Sequence, residues 1–445
     1  MSGLLKLKEK LSSFQIIILG FVMVIVLGAL LLMLPISARS GEFTSFGTAL
    51  FTSTSAVCVT GLVVVDTATY WSWFGQLVIL ALIQVGGLGV ITVASTLYIL
   101  SGRKISLMQR QTMQNALSAP CVGGMVKLTR FIVITTAFIE GAGAALLMPV
   151  FIPRYGLRGI WMSVFHSISA FCNAGFDIMG RETGEFSSLT SFADNGYLSL
   201  IICALIVIGG IGFITWSDIA TRKCRIKEYK MQTKVILVTT TILIILSTLF
   251  FFFNDFASMP FGTRLWQSIF QAITPRTAGF NTADYTQMSD SGRALTMLLM
   301  LIGGSPGSTA GGMKTTTIAV LFANTMAVLS RKQNANSHGR RVDDSVVKNA
   351  SAILFMYVTF ALVADIIISL VENLPMQMCL FETISAIGTV GLSLGITSSL
   401  SFVSRIILIM LMFFGRVGGL TIIYATFSHK DRSNLKYPLE NITVG

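Results

Sequence analysis

The chain has 445 residues, of which 53% are hydrophobic and only 12% charged, and its mean hydropathy is +0.75. Soluble domains carry about twice that charged fraction, so a water-soluble enzyme is excluded and a polytopic membrane protein is indicated. The net charge is +12, yet the basic residues recur in short clusters beside apolar runs: "KLKEK", "RKISLMQR", "RKCRIKEYKMQTK", "RKQNANSHGRR" and "HKDR". That pattern is a membrane topology signal rather than a nucleic-acid surface.

In chain order, the first apolar run, Phe14 to Leu34, is long for a signal peptide and has no small-residue cleavage site after it, so it reads as a retained span. Further spans are predicted near 74–100, 128–149, 197–220, 234–254, 293–330 (broken), 347–371 and 401–427. The six cysteines form no CxxC pair, so neither a disulfide framework nor a zinc site is expected. His166, His338 and His429 lie far apart in sequence and are expected to be structural rather than ligands. "NIT" at 441 falls on the expected cytoplasmic side and is not read as a glycosylation site.

Four windows repeat along the chain: "TSAVCVTGL" (54–62), "ISAFCNAGF" (168–176), "AITPRTAGF" (272–280) and "ISAIGTVGL" (384–392). Each has glycine at its eighth place, and Gly61, Gly175, Gly279 and Gly391 are 114, 104 and 112 residues apart. Each window ends an apolar segment too short to span. Each is preceded by one span and followed by another, which carries a second motif: "QVGGLGVIT" (84–92), "VIGGIGFIT" (207–215), "LIGGSPGST" (301–309) and "FFGRVGGLT" (413–421). The fold class expected is an all-α polytopic membrane protein of channel-like, pore-loop architecture. Its four pseudo-fourfold repeats of span, pore half-helix, filter strand and span give eight full spans. The repeats cover 11–100, 125–221, 232–331 and 345–430. Two spans per unit make all units parallel, around an axis along the membrane normal. With both termini on one side, that side holds 23 of the 32 basic residues, which makes it cytoplasmic.

Irregular backbone at membrane depth survives only where it is buried in protein or lines a wet cavity. Four such strands around one axis can ring it with carbonyls that replace a cation's hydration shell. The half-helices before them aim partly negative C-termini at the same place. The candidate ion-binding residues are therefore Val59, Thr60 and Gly61; Asn173, Ala174 and Gly175; Thr277, Ala278 and Gly279; and Thr389, Val390 and Gly391. Helix packing through small residues is the competing explanation. It fits poorly with Pro275, which ends a helix inside the third window.

The stretch 303–317, "GGSPGSTAGGMKTTT", holds five glycines, a proline and a lysine and cannot remain helical. An intramembrane loop below the filter is expected there, with Gly303, Gly304, Ser305, Pro306, Gly307, Gly311, Gly312 and Lys314 as gate residues. The corresponding "GGLG" and "GGIG" are expected to continue straight through. Arg416 stands where the other repeats have Gly87, Gly210 and Gly304. Its competing role is an ion pair with Glu140 or Asp365. Facing the vestibule, it would repel a cation and hold loop carbonyls, so it joins the gate set. Cys58 and Cys172 are expected behind the strands, and Arg276, in the same slot, to pair with Glu382.

These windows, the broken helix and Arg416 resemble the Ktr-type potassium-translocating membrane subunits (KtrB) of the Trk/Ktr/HKT cation transporter superfamily, over residues 11 to 430. The resemblance implies that one chain builds one pore, that two chains form a homodimer in the lipid of a bacterial plasma membrane, and that potassium is carried, often with sodium dependence. Glycine in all four windows implies a preference for potassium; departure from "TVGYG" in every window implies modest selectivity. The resemblance also implies the gating role of the loop and arginine. A separate cytoplasmic ring of RCK-type nucleotide-binding subunits, which would hold ATP or ADP, is implied too; no GxGxxG after a strand is present here. A less selective sodium/potassium transporter and an alternating-access secondary transporter are the alternatives, though inverted repeats are missing for the second. An enzyme is not expected, because no catalytic constellation is gathered in one place.

Overall fold

The computed structural model describes residues 12–102, 105–119, 122–223 and 225–426, together with 438 and 440. The basic clusters at 6–10 and 429–432, Cys121, Cys224, His429 and Asn441 lie outside the described residues. Four helices are long and apolar enough to cross a membrane: α1 (Ser13–Met33), α6 (Met125–Tyr155), α10 (Met231–Phe253) and α14 (Asp344–Glu372). Ser12 and Gln15 form a capping box that starts α1. Leu19, Met23, Leu27 and Leu30 are exposed along it at helical spacing, the face a lipid would cover.

Each long helix is followed by a short one: α2 (Phe46–Val57), α7 (Arg158–Phe171), α11 (Phe261–Ile273) and α15 (Met376–Gly388). At 12 to 14 residues they reach only about 20 Å. Their C-terminal halves are buried, polar residues included, as with Thr52, Ser53, Thr54 and Ser55. The long and short helices pack through close contacts. Ser53 Oγ donates to the Ile25 carbonyl (2.7 Å) and Ser167 Oγ to the Glu140 carbonyl (2.7 Å), beside Gly28 and Gly143, whose missing side chains leave room for these serines.

The following helices depart from expectation. Where "GGLG" and "GGIG" were expected to pass straight through, and 401–427 to be one span, each is a bent pair. α3 (Trp73–Leu88) and α4 (Val90–Leu100) meet at 96°, α8 (Gly196–Gly210) and α9 (Phe213–Arg222) at 95°, and α16 (Phe402–Val417) and α17 (Gly419–Thr426) at 91°. The pivots Gly89, Gly212 and Gly418 have φ of +85°, +95° and +89°, a conformation open to glycine that ends the helix. Three residues earlier, Gly86, Gly209 and Gly415 lie against the carbonyls of Val57, Phe171 and Ile387 at the ends of α2, α7 and α15. A Cβ there would come well under 3.0 Å from those oxygens. After the third window, α12 (Asp290–Leu301) and α13 (Thr315–Leu329) are separated by residues 302–314, so Thr315, Thr316 and Thr317, expected in the loop, open a helix instead. Among the described residues, the eight expected full spans thus meet four continuous helices, three bent pairs and one interrupted pair.

Between α4 and α6 lies α5 (Leu107–Leu117), started by a Ser106–Gln109 capping box. A two-stranded ribbon, Asn336–Ser337 against Arg340–Arg341, joins α13 to α14.

Candidate functional site: four glycine strands over an arginine-pinned loop

The four windows end next to one another in a closed ring. A Cβ on Gly61 would lie 2.5 Å from the Ala174 carbonyl, and one on Gly175 would lie 2.7 Å from the Ala278 carbonyl. One on Gly279 would strike the Val390 carbonyl, and one on Gly391 the Thr60 carbonyl. Each strand therefore faces the next in chain order, and the fourth returns to the first. Within each strand two φ angles are positive: Val59 +56° and Gly61 +91°, Asn173 +58° and Gly175 +68°, Thr277 +75° and Gly279 +79°, Thr389 +51° and Gly391 +92°. Thr60, Ala174, Ala278 and Val390 between them are not in that region. Alternating handedness of this kind turns successive peptide units the same way. It places β-branched Val59, Thr277 and Thr389 in a costly conformation, sustained here by full burial.

Hydroxyl groups at the end of each short helix hold the strands. Ser55 Oγ accepts from Gly61 N (3.1 Å) and Ser385 Oγ from Gly391 N (3.1 Å). Ser169 and Thr274 donate instead to the carbonyls of Phe176 (2.6 Å) and Phe280 (2.5 Å). Sequence reasoning missed these four. Their signal was the serine at the second place of three windows, moved one place in the third window, where Pro275 follows Thr274.

On the side of the residues that follow the glycines, a cavity of about 190 Å³ opens onto the ring and includes Asp66 and Asp177. Asp66 accepts from Ala68 N, Thr69 N and Phe186 N, and Asp177 from Met179 N (2.9 Å). Burial, with the Asp66 carboxylate adding to it, raises the Asp177 carboxyl to about 7.

The segment 302–314 packs against the ring from the opposite side. Gly303 N donates to Met313 O (2.8 Å) and Thr315 N to Gly304 O (3.0 Å), which closes the base of the loop. Ser305 N reaches Gly210 O (2.9 Å), and Phe213 N reaches Gly307 O (2.7 Å), across to the α8–α9 bend. Pro306 sits at this corner. Thr309 Oγ1 donates to Phe171 O (3.0 Å) and accepts from Asn173 Nδ2 (3.1 Å), and a Cβ at Gly311 would strike Thr389 Oγ1. Gly312 N donates to Gly415 O (3.2 Å). The loop thus touches two of the four strands directly. Lys314 Nζ donates back to the carbonyls of Ala310 (2.8 Å) and Gly311 (3.2 Å), stitching the loop to itself.

Arg416 donates to the carbonyls of Thr309, Gly86 and Gly87, the last at 3.1 Å. It joins loop, α3 and α16, and no ion pair with Glu140 or Asp365 forms among the described residues. A cavity of about 140 Å³ borders Arg416, Lys314 and Gly307, together with Asn115 to Ser118 at the end of α5. The expected Arg276–Glu382 pair is not formed. Glu382 accepts from Ser393 Oγ (2.9 Å) and from Thr397 Oγ1, while Arg276 is buried beside Gly304, its Nε without a partner among the described residues. The hydroxyls beside Glu382 satisfy it without a cation. Cys58 and Cys172 are fully buried, as expected. His166 is buried too, its Nδ1 2.7 Å from Met162 O.

The sequence matches the TrkH family, described as cation transport protein, over residues 8–436. It is 39% identical to the potassium/sodium uptake protein NtpJ of Enterococcus hirae, over 99% of each chain. It is 36% identical to Ktr system potassium uptake protein B of Bacillus subtilis, over 97% of this chain and 96% of that one. The fold is shared with the crystal structure of the potassium transporter TrkH from Vibrio parahaemolyticus, at TM-score 0.75 and 18% identity, covering 93% of this chain and 84% of that chain. The four glycine windows, the interrupted helix and the near full-length match converge: the chain belongs to the TrkH family of cation transport proteins.

Proposed function

We propose that this chain takes up potassium through a channel-like pore along the axis of the four glycine strands. The observation that carries the reading is the closed ring, in which each glycine abuts the next strand's carbonyl and each strand alternates its backbone handedness. A cation leaving water needs such fixed oxygens. Thr60, Ala174, Ala278 and Val390 supply carbonyls at the level of the ring, and the C-termini of α2, α7, α11 and α15 add negative potential. In this reading the four segments 11–100, 125–221, 232–331 and 345–430 are pseudo-fourfold repeats with eight spans, and both termini are cytoplasmic.

The loop within 303–317 and Arg416 form the gate. Arg416 ties Thr309 of the loop to α3, placing a fixed positive charge beneath the ring. Charge-assisted bonds are worth about 1.5–3 kcal/mol each, enough to shift a closed–open ratio at least tenfold. Uptake needs no nucleotide in this chain, since the membrane potential supplies about 2.3 kcal/mol per charge per 100 mV. Two chains form a homodimer, and a separate RCK-type ring that binds ATP or ADP sets the gate from the cytoplasm. The Ktr system name of one relative supports a multi-component assembly. The name of the Enterococcus relative supports a second reading, in which sodium is also carried.

Potassium flux into vesicles containing the purified chain, without any regulator, tests the gate. Deleting part of Gly307 to Gly312 should raise that flux by tenfold or more. Arg416→Ser should act in the same direction, and the two together should add little. A loop deletion that leaves the folded dimer at parental flux makes residues 303–317 a structural kink. Potassium uptake by a transport-deficient bacterium, with sodium as competitor, separates the two ion readings.

A further inference from the structure

Behind the second glycine strand lies a polar group that the proposed pore leaves unused. Glu140, on α6, is 8% exposed, and no lysine or arginine pairs with it among the described residues. A carboxyl inside a span without a counter-charge has a function more often than a packing role. Packing does not require it here. Its backbone carbonyl accepts from Ser167 Oγ at 2.7 Å, and the matching contact in the first repeat, Ser53 Oγ to Ile25 O at 2.7 Å, is made with an isoleucine.

The carboxyl instead joins a triad. Gln84 Nε2 donates to Glu140 Oε2 at 3.0 Å. The Cys172 thiol donates toward Glu140 Oε1 at 3.8 Å and Gln84 Oε1 at 3.6 Å. Cys172 immediately precedes Asn173, the first residue of the second strand. Gln84 lies just before Gly86 and Gly87, whose carbonyls accept from Arg416. A Cβ at Gly87 would lie 2.6 Å from Cys172 Sγ, so this turn of α3 and the root of the strand are in direct contact.

We infer that Glu140, Gln84 and Cys172 are positioning residues that couple the gate arginine to the second filter strand. The inference rests on the reading of the ring as filter and of Arg416 as gate. With Arg416 bound, the Gly86–Gly87 turn is fixed, Gln84 bonds Glu140, and the thiol has both acceptors. When Arg416 leaves, the turn is free to move, Gln84 moves with it, and the wall behind Cys172 loosens. The ion discrimination of the strand and the Arg416 contact are therefore linked through a buried polar network, whose members act together.

The test is the potassium-to-sodium flux ratio in vesicles containing the full chain, with elution volume and thermal unfolding as folding controls. Gln84→Leu and Glu140→Leu should each lower the ratio about tenfold, the effect of leaving one buried hydrogen-bonding partner unpaired. Glu140→Gln, which retains an acceptor, should hold it within about twofold of the parent. Cys172→Ala, the mildest change, should lower it in the same direction and guards against a misfolded leucine variant. Arg416→Ser should lower it too, and adding Gln84→Leu to Arg416→Ser should change it little further. Independent, multiplying effects of Gln84→Leu and Arg416→Ser overturn the coupling, as does an unchanged ratio in Gln84→Leu, Glu140→Leu and Cys172→Ala. A Glu140→Gln variant that falls as far as Glu140→Leu overturns hydrogen-bond positioning. Gly175→Ser separates the failures. If it collapses the ratio while the triad variants do not, only the coupling is wrong; if it too changes nothing, the filter reading itself is wrong.

Discussion

Gly391 has φ +92° and no room for a Cβ beside the Thr60 carbonyl, and Gly61, at +91°, has none beside Ala174. A side chain at either must push a ring carbonyl away or leave the left-handed region, at a cost of about 1–3 kcal/mol. Gly391→Ala and Gly61→Ser should therefore weaken apparent potassium affinity about tenfold and reduce discrimination against sodium. Competition uptake assays measure both, and unchanged sodium competition in both variants would remove the glycine ring from the ion path. Asp177 belongs to the same scale. Burial, then the Asp66 carboxylate, raises it to about 7, so it is largely neutral at an external pH of about 6 and charged at about 8. A carboxylate at the mouth draws cations toward it. Uptake at limiting potassium should rise roughly two- to threefold over that interval, and Asp177→Asn should flatten the profile. An equal rise in Asp177→Asn would assign the pH effect elsewhere.

Among the elements, the short helices do more than point their C-termini inward. Through Ser55 and Ser385 they hold the amide groups of Gly61 and Gly391. Removing the hydroxyl leaves a buried N–H unpaired, which costs about 1–3 kcal/mol. Ser55→Ala and Ser385→Ala should lower the unfolding temperature by a few degrees and reduce potassium-over-sodium preference, while Gly61 and Gly391 remain in place. Thermal unfolding paired with a flux ratio checks this; a stability loss with an unchanged ratio would limit the serines to folding. The bent pairs follow from the same kind of backbone detail. In "GGLG" and "GGIG" the sequence shows apolar residues on both sides of a glycine, a pattern compatible with a straight helix and with a right-angle turn. Gly86 and Gly209 settle the matter by seating their backbones on Val57 O and Phe171 O, contacts made between segments some 30 to 40 residues apart. The interruption, expected over 303–317 and found at 302–314, was legible because proline and clustered glycines oppose helix locally. What the loop would touch was not.

For the whole molecule, the expected orientation is directly testable, because Glu185, Asp284, Lys227 and His338 are all exposed. Single cysteines at Glu185 and Asp284 should react with an impermeant reagent in intact cells, and those at Lys227 and His338 should react only after lysis. Labelling of the His338 position from outside would reverse the repeat orientation. The spacing of four glycine windows, the apolar runs and the placement of basic clusters are properties of the chain read residue by residue. They determined a polytopic helical membrane protein, the glycine strands, the broken third-repeat segment and the isolated Arg416. Local sequence carries these because backbone strain, hydropathy and charge are set by each residue and its neighbours. The closed order of the ring, the three bends, the hydroxyl caps, the Arg416 contacts with Thr309, Gly86 and Gly87, and the satisfaction of Glu382 by hydroxyls rather than by Arg276 were decided by tertiary structure. Each depends on which carbonyl or hydroxyl arrives from a distant segment, and a carbonyl is carried by every residue, so sequence alone gives no mark of the one that is used.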